Sequence, residues 1–151
     1  MLLAVYFLFT LTLVVIIIID LRQQIIPDYL NAVVALLGAL HLFLYPYADY
    51  LLHGMSAVAL GGIGYLLAGP YSRWRKRDML GWGDVKFMAA AGLWMPLYDI
   101  GWFLALAGGC GIIGSLIYKY RTGRAETPFA PALCIALWLM VAHDARYILS
   151  L

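Results

Sequence analysis

Residues 2–20 read LLAVYFLFTLTLVVIIIID, eighteen uncharged and mostly apolar positions closed by a single carboxylate, Asp20. A helix rising ~1.5 Å per residue needs roughly 20 such residues to cross a ~30 Å hydrocarbon core. The pattern recurs along the chain, with apolar runs at 29–45, 51–71, 85–98, 101–118 and 129–149. Within hydrocarbon every backbone N–H and C=O must find a partner inside the protein, which leaves helices or a closed barrel. A barrel strand would show alternation over about ten residues, and these runs are continuous. The expectation is an all-α, polytopic membrane protein of about six transmembrane helices, in one domain covering 1–151.

Composition excludes a soluble globular domain. Hydrophobic residues make up 65% and charged residues 12% of the 151, and the mean hydropathy is +0.89; a soluble domain carries about 25% charged residues. The first run has no basic residue before it and is followed by more apolar runs, so it does not read as a cleavable signal. Cys110 and Cys134 each lie in an apolar run with no Cys-x-x-Cys pair, which argues against a zinc site or a disulfide framework. No metal, cofactor or nucleic-acid partner is expected.

The connecting segments alternate in charge. Arg22, Arg73, Arg75, Lys76, Arg77, Lys86, Lys119, Arg121 and Arg124 fall in or beside the loops after runs one, three and five. The turns after runs two and four hold Asp49 and Asp99 without Lys or Arg, and Arg146 is the one basic exception. Basic residues mark the cytosolic side of a membrane protein. Both termini are therefore expected outside the cytosol, with Asp20 and Asp84 at its cytosolic face, in the cytoplasmic (inner) membrane. Run four is short, about 22 Å of helix from Asp84 to Asp99. A re-entrant turn there would reverse the charge rule for Lys119, Arg121 and Arg124, so it is read as a span. Small residues at four-residue spacing, Ala57 with Gly61, Gly64 with Ala68, Ala105 with Gly109 and Ala107 with Gly111, predict close helix contacts.

An ionisable group at or within a bilayer is costly and marks function by default. Asp20 and Asp84 are 64 positions apart yet are placed at one membrane face on two helices. Two carboxyl groups sharing one proton can activate water and polarise a carbonyl, which is the chemistry of aspartyl hydrolysis. Taken singly, Asp20 also suits a polar helix terminator and Asp84 a helix N-cap between Gly81 and Gly83. Gly83 removes bulk beside the carboxylate and so opens an approach for a substrate backbone. Lys86 is two residues on, where a helix points it elsewhere, toward lipid headgroups.

Two blocks, Asp20-Leu-Arg-Gln-Gln-Ile-Ile-Pro27-Asp28-Tyr-Leu-Asn31 and Gly81-Trp-Gly-Asp84-Val-Lys86, resemble the signature of type IV prepilin peptidases, which belong to the GxGD intramembrane aspartyl proteases. The segment Pro128-Phe-Ala-Pro131 resembles the family's Pro-Phe-Gly-Pro, with Ala130 in the place of glycine. The resemblance implies Asp20 and Asp84 as the catalytic pair, with Gly81, Gly83, Lys86, Pro27, Pro128 and Pro131 as motif positions around the substrate. It also implies a prepilin or pseudopilin substrate, cut after a glycine that separates a basic leader from an apolar helix. Asp28 stands where the family usually has Asn and is read as the N-cap of helix two. The chain lacks the cysteine-bearing methyltransferase region of bifunctional members and is similar to the short peptidase-only branch of Flp/Tad systems, so N-methylation is not expected.

The basic run at 73–77 reads as contact with anionic lipid, with Trp74 at the interface, since it would repel a basic leader. Asp28, Asp78 and Glu126 are the cytosolic acids available to attract one. His143 and Asp144 read as a local pair at the far end of helix six, and His41 and His53 show no metal-ligand spacing. The alternative is a small transporter or channel that uses Asp20 and Asp84 for cation or proton binding, against which stands the lack of an internal repeat. A non-catalytic assembly subunit is a third reading. Oligomeric state is open.

Overall fold

The chain's computed structural model describes residues 1–45, 48–75, 80–123 and 127–149, with side chains excepted at 73, 75 and 146–149. Helices α1 (Leu2–Gln23), α2 (Asp28–Leu44), α3 (Tyr50–Leu66), α4 (Ser72–Arg75), α5 (Trp82–Ala91), α6 (Ile100–Thr122) and α7 (Ala130–Leu149) follow one another, and no strand occurs among the described residues. Three stretches, Leu2–Gln23, Tyr50–Tyr71 and Leu97–Thr122, are long and apolar enough to cross a bilayer, and α2 and α7 are shorter apolar helices. The protein is an all-helical, polytopic membrane protein. Large apolar side chains such as Phe7, Leu36, Phe43, Val58, Ile112 and Leu116 point outward, as they must where the surrounding solvent is lipid.

Helix ends follow the local sequence. Asp49 caps α3, its carboxylate accepting the backbone N–H groups of Leu51 and Leu52 at 3.1 Å. Gly123, at φ 68°, closes α6 in the left-handed conformation that glycine adopts without steric cost. The α3 helix widens into a π-turn over Leu67–Tyr71, around Pro70, where the missing proline N–H disrupts the regular ladder.

The fourth run is not one continuous helix. After ten residues α5 tightens into a 3-10 turn over Gly92–Trp94, becomes extended at Met95 and Pro96, and turns again over Leu97–Asp99. Pro96 accounts for the break, because it disfavours helical backbone at the residue before it; Met95 sits at φ −143°, ψ 145°. The extended residues lengthen the segment, so it still runs from the Asp20 end of the bundle to the end that holds Asp49 and Asp144.

This segment is the buried spine of the fold. Small residues on α3 take it in at three levels: a Cβ on Gly92 would run into the backbone of Ala57, one on Gly61 would stand 3.1 Å from Ala89, and one on Gly64 would stand 3.2 Å from Val85. The predicted small faces of α3 are therefore packing faces. On α6, Ala107 is buried and Gly111 lies against Phe129, whereas Ala105 and Gly109 face outward, so only one of the two predicted pairs there makes a contact. Phe9, Phe87, Phe103 and Trp94 fill the centre, with the Phe9 and Trp94 rings 4.0 Å apart.

Candidate active site

Asp20 lies three residues before the end of α1, a helix that carries on through Arg22 to Gln23 and closes at Gln24 in the left-handed conformation. Its side chain is 4% exposed. The other reading of Asp20, as a polar helix terminator, does not hold, because the helix continues past it and the carboxylate turns inward. Its Oδ2 accepts the backbone N–H of Ala130 at 3.2 Å, across 110 positions of sequence. Ala130 is the first residue of α7, where backbone N–H groups have no partner within the helix and carry the positive end of its dipole.

Asp84 stands at the third position of α5, partly buried, and its Oδ2 accepts the backbone N–H of Gly81 at 3.3 Å. Both carboxylates thus rest on the N-terminus of a helix, and both line one cavity of about 280 Å³ with Gln24, Ile26, Gly81 and Gly83. Asp84 precedes the membrane-crossing stretch. Its carboxyl is pushed up to about 6, chiefly by burial and then by the negative charge of Asp20, while the Gly81 N–H pulls it back. A negative neighbour disfavours a second negative charge, which is how Asp20 adds to the rise at Asp84.

Of the motif positions, Gly81, Gly83 and Lys86 line this cavity. Pro27 precedes Asp28, the first residue of α2, and Pro128 and Pro131 bracket Ala130 at the start of α7, so these prolines shape the backbone that carries the site. Gly83 also has a packing use. A Cβ there would stand 3.1 Å from both the Cβ and the carbonyl oxygen of Ile26, so the missing bulk seats the turn after α1. Lys86 has a partner within the protein: its Nζ lies 2.6 Å from Asp28 Oδ2 in an exposed ion pair at the cavity mouth. Asp28 is not the cap of α2 either, since Pro27 takes that place and no side chain caps the helix. Lys76, Arg77, Asp78, Arg124 and Glu126 lie outside the described residues, as do the side chains of Arg73, Arg75 and Arg146. Trp74 is exposed.

Two residues that stand inside the quoted blocks had no role assigned from the sequence. Ala130 acts through its backbone N–H, which no side-chain identity announces. Asn31, 5% exposed, donates from Nδ2 to the Gly83 carbonyl at 3.1 Å and ties α2 to the turn before Asp84. A buried amide in an apolar helix was the available signal.

A bundle of apolar helices that brings two carboxylates together at one end defines a membrane protein with a paired-acid site. Residues 7–117 match the type IV leader peptidase family, and the chain belongs to that family. It is 33% identical over 138 residues to the prepilin leader peptidase/N-methyltransferase of Escherichia coli (strain K12), covering 90% of this chain and 59% of that protein. The enzymes of the same name from Dichelobacter nodosus and Xanthomonas campestris pv. campestris are 31% and 30% identical. Those matches cover 91% and 81% of this chain and 48% and 44% of the relatives. The chain thus spans about half the length of the curated relatives it matches. No solved structure matches it.

Proposed function

We propose that this chain is a membrane aspartyl endopeptidase that removes the basic leader of type IV prepilins or pseudopilins, cutting after glycine, with Asp20 and Asp84 as the catalytic pair. The observation that carries the reading is the convergence of two carboxylates from α1 and α5 on one small cavity, each held by an N–H at a helix N-terminus.

In this reading Asp84 keeps the shared proton, as its raised affinity favours, and Asp20 keeps the charge. Asp20 takes a proton from water as the oxygen attacks the scissile carbonyl, and Asp84 donates to that carbonyl oxygen. Collapse of the tetrahedral adduct breaks the C–N bond: the leaving amine takes the proton now on Asp20, and one hydroxyl of the adduct returns its proton to Asp84 as the new carboxyl group forms. The site lies at the end of the bundle that carries Arg22, Lys86, Lys119 and Arg121, which supports a cytosolic active site in the inner membrane. There the extended junction between a leader and its apolar helix exposes carbonyls that a helix would shield.

The test is co-expression with a candidate prepilin, reading the mass of the intact substrate. Loss of the leader after glycine with the wild type, and its retention with Asp20→Asn and with Asp84→Asn while both variants stay in the membrane, is the expected result. Cleavage by either variant would remove that residue from the catalytic pair.

A further inference from the structure

A second cavity, of about 780 Å³ and wider than the one holding Asp20 and Asp84, opens at the other end of the bundle. Tyr6, on its wall, is fourteen residues from Asp20 along α1, about 21 Å of helix. Its volume falls in the range of about 300–1,000 Å³ common for small-molecule sites.

Its chemistry is one-sided. Asp49, Asp99 and Asp144 line it together with all three histidines of the chain, and no Lys or Arg does so among the described residues. The carboxylates act on common neighbours: Tyr98 is within electrostatic range of all three. Two of them are already engaged, Asp49 at the start of α3 and Asp144 at 3.6 Å from His143. The Asp99 carboxylate has no hydrogen-bond or ion-pair partner among the described residues, and it does not cap α6. The floor is aromatic, with His41 stacked between Tyr45 at 5.9 Å and Trp94 at 5.3 Å and with Tyr6 at 5.5 Å. Tyr98 and Trp102 stand exposed at the rim. His41 is 6% exposed, and its Nδ1 has no partner among the described residues.

A cavity lined by three carboxylates and, among the described residues, by no Lys or Arg favours positive charge, and aromatic faces attract cations that shed water easily. Among the described residues no three His, Cys, Asp or Glu groups converge as metal ligands, so a compact metal ion is poorly matched. A bulky ammonium fits both the volume and the rings. Leu106, Leu139 and Met140 give the same cavity an apolar wall.

We propose that this cavity binds an alkylammonium group, with Asp99 as its charge partner and Tyr98 and Trp102 as the rings at its rim. The group arrives either on a lipid headgroup or on a free amine. The site is separate from the paired-acid site and does not depend on the proposed cleavage.

The probe is choline chloride, titrated at constant ionic strength into the full chain in a neutral maltoside detergent and followed by tryptophan fluorescence. Its uncharged isostere, 3,3-dimethylbutan-1-ol, is the control. Saturable binding of choline at least ten-fold tighter than the alcohol is expected. Asp99→Asn should weaken it at least ten-fold, and Tyr98→Leu less, with Asp84→Asn binding as the wild type does. Unchanged size-exclusion profile and melting temperature verify that the variants fold. Reconstitution in nanodiscs then separates the sources. Loss of choline binding in phosphatidylethanolamine but not in phosphatidylglycerol assigns the site to a headgroup, and equal binding in both assigns it to a free amine. Equal affinity for the alcohol, no choline binding in any setting, or undiminished binding by the folded Asp99→Asn variant overturns the proposal.

Discussion

At one end of the bundle two aspartates from distant parts of the chain face a cavity of about 280 Å³, each on the N–H of a helix start; at the other, three aspartates ring a cavity of about 780 Å³ among aromatic rings. The wider end holds more ionisable groups, yet the narrower end has the geometry of acid–base chemistry. Asp49 caps the helix it begins, whereas Asp20 accepts from a helix that begins 110 residues later. Cavity size and the number of charges therefore do not mark the candidate site here. What marks it is the convergence of separate helix termini on carboxyl groups withdrawn from solvent.

That contrast breaks most visibly on cleavage. Asp20→Asn and Asp84→Asn should each cost ~10³-fold or more in prepilin processing, within the range general acid–base groups supply. Asp99→Asn at the wide end should stay within about two-fold, measured as the cleaved fraction by intact mass. Equal losses at both ends would mean that the cleavage machinery extends through the bundle.

Next comes the backbone donor. Ala130→Pro removes the N–H that Asp20 accepts at a helix position where proline is well tolerated. A hydrogen bond to a charged group contributes about 1.5–3 kcal/mol, so kcat/KM should fall roughly 10- to 150-fold, with helix content by circular dichroism unchanged. A fall confined to KM would mean that Ala130 serves binding and not the charge on Asp20.

Protonation sharpens the picture further. A hydrophobic carbodiimide labels neutral carboxyl groups, and the neutral fraction of Asp84 falls as pH rises through about 6. Its labelling, followed by mass spectrometry of peptides, should therefore be fast below that pH and slow above it. Asp20→Asn removes a negative neighbour, so the midpoint should move down, only part of the way because burial contributes more. An unmoved midpoint would uncouple the two carboxyls.

The smallest effect belongs to the exposed Lys86–Asp28 pair. Surface ion pairs contribute ~0–1 kcal/mol, so Lys86→Ala should leave the melting temperature nearly unchanged. A large loss of cleavage from that variant would give the pair a part in handling substrate.

Much of this was legible in the residues. Hydropathy located six segments, and Asp20 and Asp84 stood out because carboxylates are costly beside lipid. The break in the fourth segment was signalled by Pro96, inside a run whose apolar content reads as continuous helix. Lys86 and Asp28 were each assigned to local surroundings, and their pairing needed α2 and α5 side by side. The wide cavity was out of reach because its wall comes from all six segments, and no quoted motif includes a residue that lines it.

The close seam between α3 and the fourth segment has an evolutionary consequence. Ala57 against Gly92, Gly61 against Ala89 and Gly64 against Val85 leave no room for another methyl group without displacement. A lineage that enlarges one member of a pair must shrink its opposite or shift the helices, and shifting α5 moves Asp84. Drift along this seam should therefore run in matched exchanges, such as glycine and alanine trading places at 61 and 89, while the outward face of α6 varies freely.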